Sequence, residues 1–182
     1  MLDGIMIRTY AHQDVLDLAE YANIPVINAL TDLLHPCQVL ADLMTTYEHK
    51  GKLEGLKLAY IGDGNNMAHS LMYGCAKAGM DCAIATPENY QCDEEVVANA
   101  KDDFKKSGKE LILTTDPVEA IKNADVVYTD TWVSMGQEAE KAERQKIFMP
   151  YQVNGELFKN AADDAVFMHC LPAYRGFEVT EE

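Results

Sequence analysis

Arginine is scarce in this chain. Three arginines occur, and lysine and arginine together number 15 against 30 aspartates and glutamates. The formal net charge is therefore −15 at pH 7. A surface this acidic repels phosphate backbones and anionic membranes, so the composition argues against nucleic acid as a partner.

Long hydrophobic runs and closely paired cysteines are also missing. No segment approaches the roughly 20 apolar residues that span a bilayer, and the first residues lack the basic stretch and apolar core of a signal peptide. The cysteines are scattered without the spacing of a zinc site, at Cys37, Cys75, Cys82, Cys92 and Cys170. The sequence therefore predicts free thiols, no metal, no membrane partner and a cytoplasmic location.

Short apolar runs alternate with segments of helical spacing in the larger part of the chain. The predicted strands are 56–61, 82–85, 110–114, 126–129 and 166–169, and the predicted helices are 65–78, 94 to about 106, and one that opens at 117. This order predicts an α/β fold with a doubly wound, Rossmann-like parallel sheet. Ligands in such sheets bind at the carboxyl ends of the strands, so polar residues at those points are the candidate site.

The first 34 residues have a different organisation. They contain a strand at 5–7, a helix at 12–21 and a short strand at 25–28, which is too little to form a core. A helix then runs from Pro36 to about Lys50. We predict that 1–34 is a remnant of a second α/β domain, that 35–50 is an inter-domain helix, and that 51–182 is the domain built on the main sheet.

Two polar motifs lie at predicted helix starts. His35 and Gln38 are three residues apart and share one helix face, at the positive end, where donors can polarise a carbonyl oxygen. The alternative is a helix-capping histidine beside a solvent-facing glutamine. Asn65 and Asn66 follow a Gly-Asp-Gly turn, where they suit a carboxylate, although a simple cap and tight turn fit equally well. Met67 replaces the third glycine of a dinucleotide fingerprint, which argues against a nicotinamide-dependent oxidoreductase.

Two further motifs follow buried strands. Asp130 at a strand end can hold a cationic amino group, with Ser134 as a neutral partner, although a structural turn around Trp132 fits the same spacing. Cys170 is either a ligand contact or a small buried hydrophobe. A Cys–His nucleophile pair is not favoured, because adjacent residues of a strand point to opposite faces.

Together and in this order, the motifs resemble the ornithine carbamoyltransferases of the aspartate/ornithine carbamoyltransferase family. The matching segments are His35-Pro36-Cys37-Gln38, Asp63-Gly64-Asn65-Asn66, Asp130-x-x-x-Ser134-Met135-Gly136 and His169-Cys170-Leu171-Pro172. The similarity also covers the chain between the motifs, including Asp42, Glu48-His49 and the segment Tyr151–Asn154. The Ser-Met-Gly triplet favours ornithine over the aspartate or putrescine relatives.

The resemblance implies a reaction of arginine biosynthesis. The neutral δ-amino group of ornithine attacks the carbonyl carbon of carbamoyl phosphate, which gives citrulline and phosphate without a cofactor, in a homotrimeric enzyme. On the carbamoyl phosphate side, it implies that His35 and Arg8 polarise the carbonyl oxygen and that Gln38 orients the amide. On the ornithine side, it implies that Asn66 holds the α-carboxylate. The α-amino group is then held by Asp130, Ser134 and the main chain of Met135. Cys170 and Leu171 are expected beside the δ-amino group.

The chain also departs from the family pattern. The family grips phosphate with a Ser-x-Arg-Thr-Arg loop that is absent here, and Arg8 is the only arginine carried over on the phosphate side. A closing segment with another arginine and a final helix is also absent. We therefore expect a C-terminal part that is truncated at both ends, exposes apolar surface on 1–34 and makes little citrulline alone. The alternative function is a non-catalytic fragment for ornithine binding or assembly.

Overall fold

A computed structural model describes residues 2–133 and 138–182. The strands are β1 (Ile5–Arg8), β2 (Val26–Leu30), β3 (Lys57–Ile61), β4 (Asp81–Ala85), β5 (Leu111–Thr114), β6 (Val126–Thr129) and β7 (Val166–His169). The helices are α1 (His12–Tyr21), α2 (Pro36–Lys50), α3 (Asn66–Ala78), α4 (Glu94–Ser107), α5 (Pro117–Ile121), α6 (Lys141–Phe148) and α7 (Gly155–Phe158), with 3₁₀ turns at Glu138–Glu140 and Met149–Tyr151. The predicted contacts of Ser134 and Met135 lie outside the described residues.

Five parallel strands form the main sheet in the order β5-β4-β3-β6-β7. Strand order reverses between β3 and β6, so the chain winds in both directions from the middle of the sheet. The predicted α/β class with a doubly wound sheet is confirmed. A reversal of this kind leaves a crevice at the carboxyl ends of the two central strands.

Apolar side chains bury both faces of the central strands. On one face, Tyr60 and its neighbours in the sheet pack against α3 and α4 in a core that includes Leu71 and Phe104. On the other face, the small side chain of Ala59 and its neighbours pack against Ile121 of α5 and Leu157 of α7. Strands that are covered on both sides need continuous apolar sequence, which is the pattern that predicted them.

The predicted elements match the observed ones closely, except in the stretch between β6 and β7. The bounds of α1, α2, β6 and β7 match the predicted ones, and the predicted bounds of the other elements differ by one or two residues. Helices α6 and α7 were not predicted. Their buried residues are few, with Arg144 and Phe148 in α6 and Leu157 in α7, so neither helix carries a continuous apolar stripe.

Residues 2–30 contain a separate two-stranded parallel sheet, with Ile5 of β1 opposite Val26 of β2. Helix α1 connects the strands and buries only Val15. Large apolar side chains remain exposed along this segment and along α2, namely Leu2, Met6, Tyr10, Leu16, Tyr21, Ile27, Leu40, Met44 and Tyr47. The expected apolar surface on 1–34 is therefore present, and it continues onto α2.

Helix α2 joins the two sheets and packs tightly on α3. A Cβ added at Gly74 of α3 would lie 2.5 Å from Val39 Cγ1, so the absence of a side chain at Gly74 permits this approach. The amino ends of α2 and α3 consequently lie side by side, where the His35 N–H donates to Ser70 Oγ at 2.7 Å. Within the described ranges, no helix is both long and apolar enough to cross a membrane.

Gly64 accommodates a close backbone crossing beside the crevice. Its N–H donates to the Tyr90 carbonyl at 2.9 Å, and an added Cβ would lie 2.4 Å from both Cys92 N and Gln91 C. Contacts this short with backbone atoms force the segment at 90–92 to move. The turn after β3 therefore requires glycine at this position.

We predict that Gly64→Ala lowers the free energy of unfolding by an amount near the upper end of about 1–3 kcal/mol, as overpacking does. Gly4→Ala is the control, because its Cβ would meet only the Pro25 carbonyl oxygen, at 3.5 Å. Urea unfolding followed by circular dichroism measures both. Equal stability of the two variants would show that the crossing adjusts freely.

Candidate active site

Polar side chains surround a cleft of about 610 Å³ at the carboxyl edge of the main sheet. The turns after β3, β6 and β7 form one wall, and β1 and the amino end of α2 form the other. The lining includes Arg8, His35, Gln38, Asp63, Asn65, Asn66, Asp130, Arg144, Cys170 and Leu171. The structure therefore brings together the described residues to which the resemblance assigns a role in the site.

Asp130 is the central carboxylate of this cleft and is 6 % exposed. It accepts hydrogen bonds from Asn65 Nδ2 at 2.8 Å, from the Thr131 N–H at 2.7 Å and from Cys170 Sγ at 3.0 Å. These donors orient the carboxylate but carry no net charge. A buried carboxylate is expensive without a positive partner, so Asp130 suits a cationic ligand.

Asn65 links this carboxylate to helix α3. Its side-chain oxygen caps the helix by accepting from the N–H groups of Met67 at 3.0 Å and Ala68 at 3.3 Å. With its oxygen committed to the helix, the amide must direct its NH₂ group at Asp130. The sequence analysis offered a helix cap and a ligand contact as alternatives for this turn. Asn65 caps the helix and also lies in the site, a double role that the sequence did not predict.

Asn66 reaches across the cleft. Its Nδ2 donates to the Thr31 carbonyl at 2.6 Å, which ties α3 to the segment after β2. The resemblance assigns this side chain to an α-carboxylate. In this structure the amide donor is already engaged, so a carboxylate would have to take the place of the Thr31 carbonyl.

Cys170 and His169 have different hydrogen-bond partners. Burial raises the pKa of the Cys170 thiol, and the Asp130 carboxylate raises it further, so the thiol keeps its proton. His169 contacts Glu178 with Nε2 at 3.3 Å and accepts from the Leu171 N–H with Nδ1 at 2.8 Å. The Cys170 thiol donates to Asp130 and not to His169, so the two side chains are not paired as a nucleophile and base, although their ligand atoms lie within 4.8 Å of each other. Leu171 lies at the mouth of the cleft and is 69 % exposed.

The ligand atoms of Asp130, His169 and Cys170 lie within 4.8 Å of one another, a spacing that a metal ion could bridge. Both ring nitrogens of His169 are already hydrogen-bonded, and the Cys170 thiol is protonated. A metal would therefore have to displace a hydrogen bond and a proton. The arrangement fits a hydrogen-bonded cluster better than a prepared metal site.

His35 and Gln38 occupy the opposite wall at the start of α2. The His35 side chain makes no capping hydrogen bond, which argues against the helix-cap interpretation. Burial lowers the pKa of His35, and the positive charge of Arg8 lowers it further, so the imidazole is neutral near pH 7 and can donate one N–H. Gln38 lines the cleft rather than facing bulk solvent, and its Nε2 donates to Asp42 Oδ1 at 3.0 Å.

Arg144 forms a buried ion pair with Asp63 that the sequence did not reveal. The guanidinium of Arg144 is 4.8 Å from the ring centre of Tyr90 and 5.0 Å from that of Phe148, and its Nε donates to the Trp132 carbonyl at 2.6 Å. Burial raises the pKa of Asp63, whereas the charge of Arg144 lowers it. The pair joins the turn after β3 to helix α6, across 81 residues of sequence, and the bond to Trp132 connects Arg144 to the turn after β6.

Two family models match the chain. The model for the aspartate/ornithine carbamoyltransferase Asp/Orn binding domain covers residues 54–182, and the model for the carbamoyl-P binding domain of the same family covers residues 1–48. The chain belongs to the aspartate/ornithine carbamoyltransferase family. The first of these models alone spans more than half of the chain.

Among the relatives in this family, the ornithine carbamoyltransferase of Carboxydothermus hydrogenoformans is 61 % identical over 182 residues, and that of Bacillus subtilis is 58 % identical over 181 residues. The solved ornithine carbamoyltransferase from Pyrococcus furiosus is 57 % identical, with a TM-score of 0.94 over 99 % of this chain. The chain spans 58 % of the first relative and 57 % of the other two.

We predict that Arg144→Met lowers the free energy of unfolding by about 3–5 kcal/mol, because it leaves the Asp63 carboxylate buried without its partner. Asp63→Asn in the same chain should restore part of that loss. Urea unfolding of the single and double variants measures the coupling between the two side chains.

The matched control is Lys77→Met, which removes the exposed pair with Asp103 and should leave the stability unchanged. If Arg144→Met unfolds at the same urea concentration as the parent, the pair of Arg144 with Asp63 does not stabilise the fold.

Proposed function

We propose that this chain is the ornithine-binding part of an ornithine carbamoyltransferase, which transfers the carbamoyl group of carbamoyl phosphate to the δ-amino group of ornithine. The observation that carries the proposal is the cluster of Asp130, Asn65 and Cys170 at the crevice where the strand order reverses. The neutral imidazole of His35 lies across the same cleft. The names of the relatives support the same reaction.

The proposed division of the chain follows from this assignment. Residues 51–182 form the ornithine-binding domain, 35–50 the inter-domain helix and 1–34 the later part of the carbamoyl-phosphate domain. The two family models agree with a boundary near residue 50, and the chain then corresponds to the C-terminal part of its relatives.

Ornithine offers groups that suit the sheet side of the cleft. Its α-ammonium group pairs with the Asp130 carboxylate, and its α-carboxylate lies at the positive end of α3, beside Asn66. Ser134 and Met135, which lie outside the described residues, complete the contacts of the amino group in this proposal. Cys170 and Leu171 then lie beside the δ-amino group.

Carbamoyl phosphate fits the opposite wall. The neutral His35 N–H donates to the carbonyl oxygen, on which negative charge develops when the amine attacks. Arg8 supplies a positive charge at the end of β1 for that oxygen and for the phosphate. Gln38 faces the amide of the carbamoyl group. No cofactor is required, because the reaction needs only alignment of the substrates and stabilisation of charge.

The phosphate side is the incomplete part of the proposed site. The arginines that line the cleft are Arg8 and Arg144, and Arg144 is paired with Asp63. A phosphate dianion normally requires several charge-assisted hydrogen bonds. We therefore propose that efficient turnover depends on a further polypeptide segment that supplies phosphate ligands.

A second candidate is a non-catalytic ornithine-binding or assembly fragment. The exposed apolar side chains of β1, α1 and α2 favour it, since an apolar surface of this kind normally contacts another protein surface. Under the first candidate, the enzyme, we propose that the complete protein is cytoplasmic and assembles as a homotrimer.

Citrulline formation distinguishes the two candidates. The purified chain is mixed with ornithine and carbamoyl phosphate, with and without a separate polypeptide that carries the family's Ser-x-Arg-Thr-Arg loop. We expect turnover only on mixing, because losing one transition-state donor typically costs about 10²–10³ in rate and here several are missing.

His35→Ala in the mixed sample is the internal control and should abolish the citrulline signal. Rapid turnover by the chain alone would contradict the assignment of the phosphate ligands. A lack of turnover in both samples would favour the non-catalytic fragment.

A further inference from the structure

Asp42 lies one helical turn beyond Gln38 on the inner face of α2. Its side chain is buried, and the residue is 5 % exposed. Oδ1 accepts the hydrogen bond from Gln38 Nε2 at 3.0 Å, and the Asp42 carbonyl accepts another from Thr46 Oγ1 at 2.8 Å. Asp42 itself does not line the cleft, and Gln38 is the cleft residue that is hydrogen-bonded to its side chain.

Tyr128 faces Asp42 from the neighbouring strand β6. The Tyr128 hydroxyl and Asp42 Oδ2 are both buried, and neither has a hydrogen-bond partner among the described residues. Burial raises the pKa of Asp42 to about 6, while Gln38 and the Tyr128 hydroxyl lower it. Burial and the nearby Asp42 also raise the pKa of Tyr128, so Tyr128 remains a protonated donor beside the carboxylate.

The titratable groups that face one another across this contact are few. They are Asp42 on α2, Tyr128 on β6 and Cys170 in the turn after β7. The charge of Asp42 is one of the causes that raise the pKa of the Cys170 thiol. The Thr46 hydroxyl and the Met168 sulfur, 3.6 Å apart, fill the remaining space. Near neutral pH, Asp42 is thus an anion among neutral groups.

The charge of Asp42 decides which way the Gln38 amide points. An ionised carboxylate accepts hydrogen bonds and donates none, so the amide must turn its NH₂ group towards Asp42. The amide oxygen, Oε1, is then the atom left for the cleft, where it can only accept. A carbamoyl group offers an NH₂ donor at the corresponding place.

We propose that Asp42 is a positioning residue that fixes the Gln38 amide with its oxygen towards the cleft, so that the site selects an acyl phosphate bearing NH₂ over one bearing a methyl group. The identity of this ligand rests on the proposed function, whereas the orientation of the amide does not. Tyr128 lies close to the same carboxylate, but its hydroxyl is not hydrogen-bonded to the second oxygen, so the orientation of the amide depends on the bond between Gln38 and Asp42.

The orientation is tested by nuclear magnetic resonance of the ¹⁵N-labelled 182-residue chain. In the parent at neutral pH, we expect one side-chain amide proton of Gln38 to resonate downfield, as a proton bonded to a carboxylate does. Asp42→Asn removes the charge at nearly constant volume and should abolish that downfield shift, while Tyr128→Phe should retain it.

The matched control is Asp17→Asn on α1. Gln13 Nε2 donates to Asp17 Oδ1 at 2.6 Å with the same four-residue spacing, but this pair is exposed and remote from the cleft. The control should change the Gln13 resonances and leave those of Gln38 as they are. A Gln38 amide that does not respond to Asp42→Asn would overturn the proposal.

The selectivity is tested by titrating the same proteins with carbamoyl phosphate and with acetyl phosphate. Loss of one hydrogen bond should reduce the preference for carbamoyl phosphate by a few-fold to about tenfold in Asp42→Asn. An unchanged preference in a variant that still binds both compounds would overturn the proposal. If the parent binds neither compound even after the polypeptide with the Ser-x-Arg-Thr-Arg loop is added, the proposed function loses its support, and the Gln38 resonances still confirm or overturn the orientation.

Discussion

The reversal of strand order between β3 and β6 is the constraint on which the rest of this structure depends. Because the two strands are parallel and adjacent, Asp63 and Asp130, which follow their carboxyl ends, lie in the same crevice, although 67 positions separate them in the sequence. Helix α3 starts at the same point, so its cap Asn65 can bond Asp130. The site follows from the winding of the sheet rather than from any single motif.

The two walls of the crevice differ in charge, so they suit ligand groups of opposite charge. Asp63 and Asp130 are both buried, and Arg144 pairs with the first of them. Asp130 is left with neutral donors, which makes the sheet side of the cleft a place for a cation. On the far side, Arg8 and the neutral His35 face the same space and suit an anion and a polarised carbonyl. This division of charge between the two walls is the reason for proposing an amino acid on one side and an acyl phosphate on the other.

The sequence predicted the parts of the fold and site that are encoded locally. Continuous apolar runs identified the strands, and the carboxyl-end rule then brought Asp130 and Cys170 together. The pair of Arg144 with Asp63 depends on how α6 packs, and α6 has no apolar periodicity to reveal it. Asp42 could have been linked to Gln38 from its helical spacing, but its contact with Tyr128 requires the tertiary structure. Ser134 and Met135 remain predictions.

Calorimetric titration of ornithine into the parent chain and into Asp130→Ala measures whether the cleft binds an amino group through Asp130. We expect truncation to weaken binding by about 2–5 kcal/mol, as happens when one partner of a buried charge pair is removed. Asp102→Ala, on the exposed face of α4, should bind as the parent does. Equal affinities of the parent and Asp130→Ala would contradict the account.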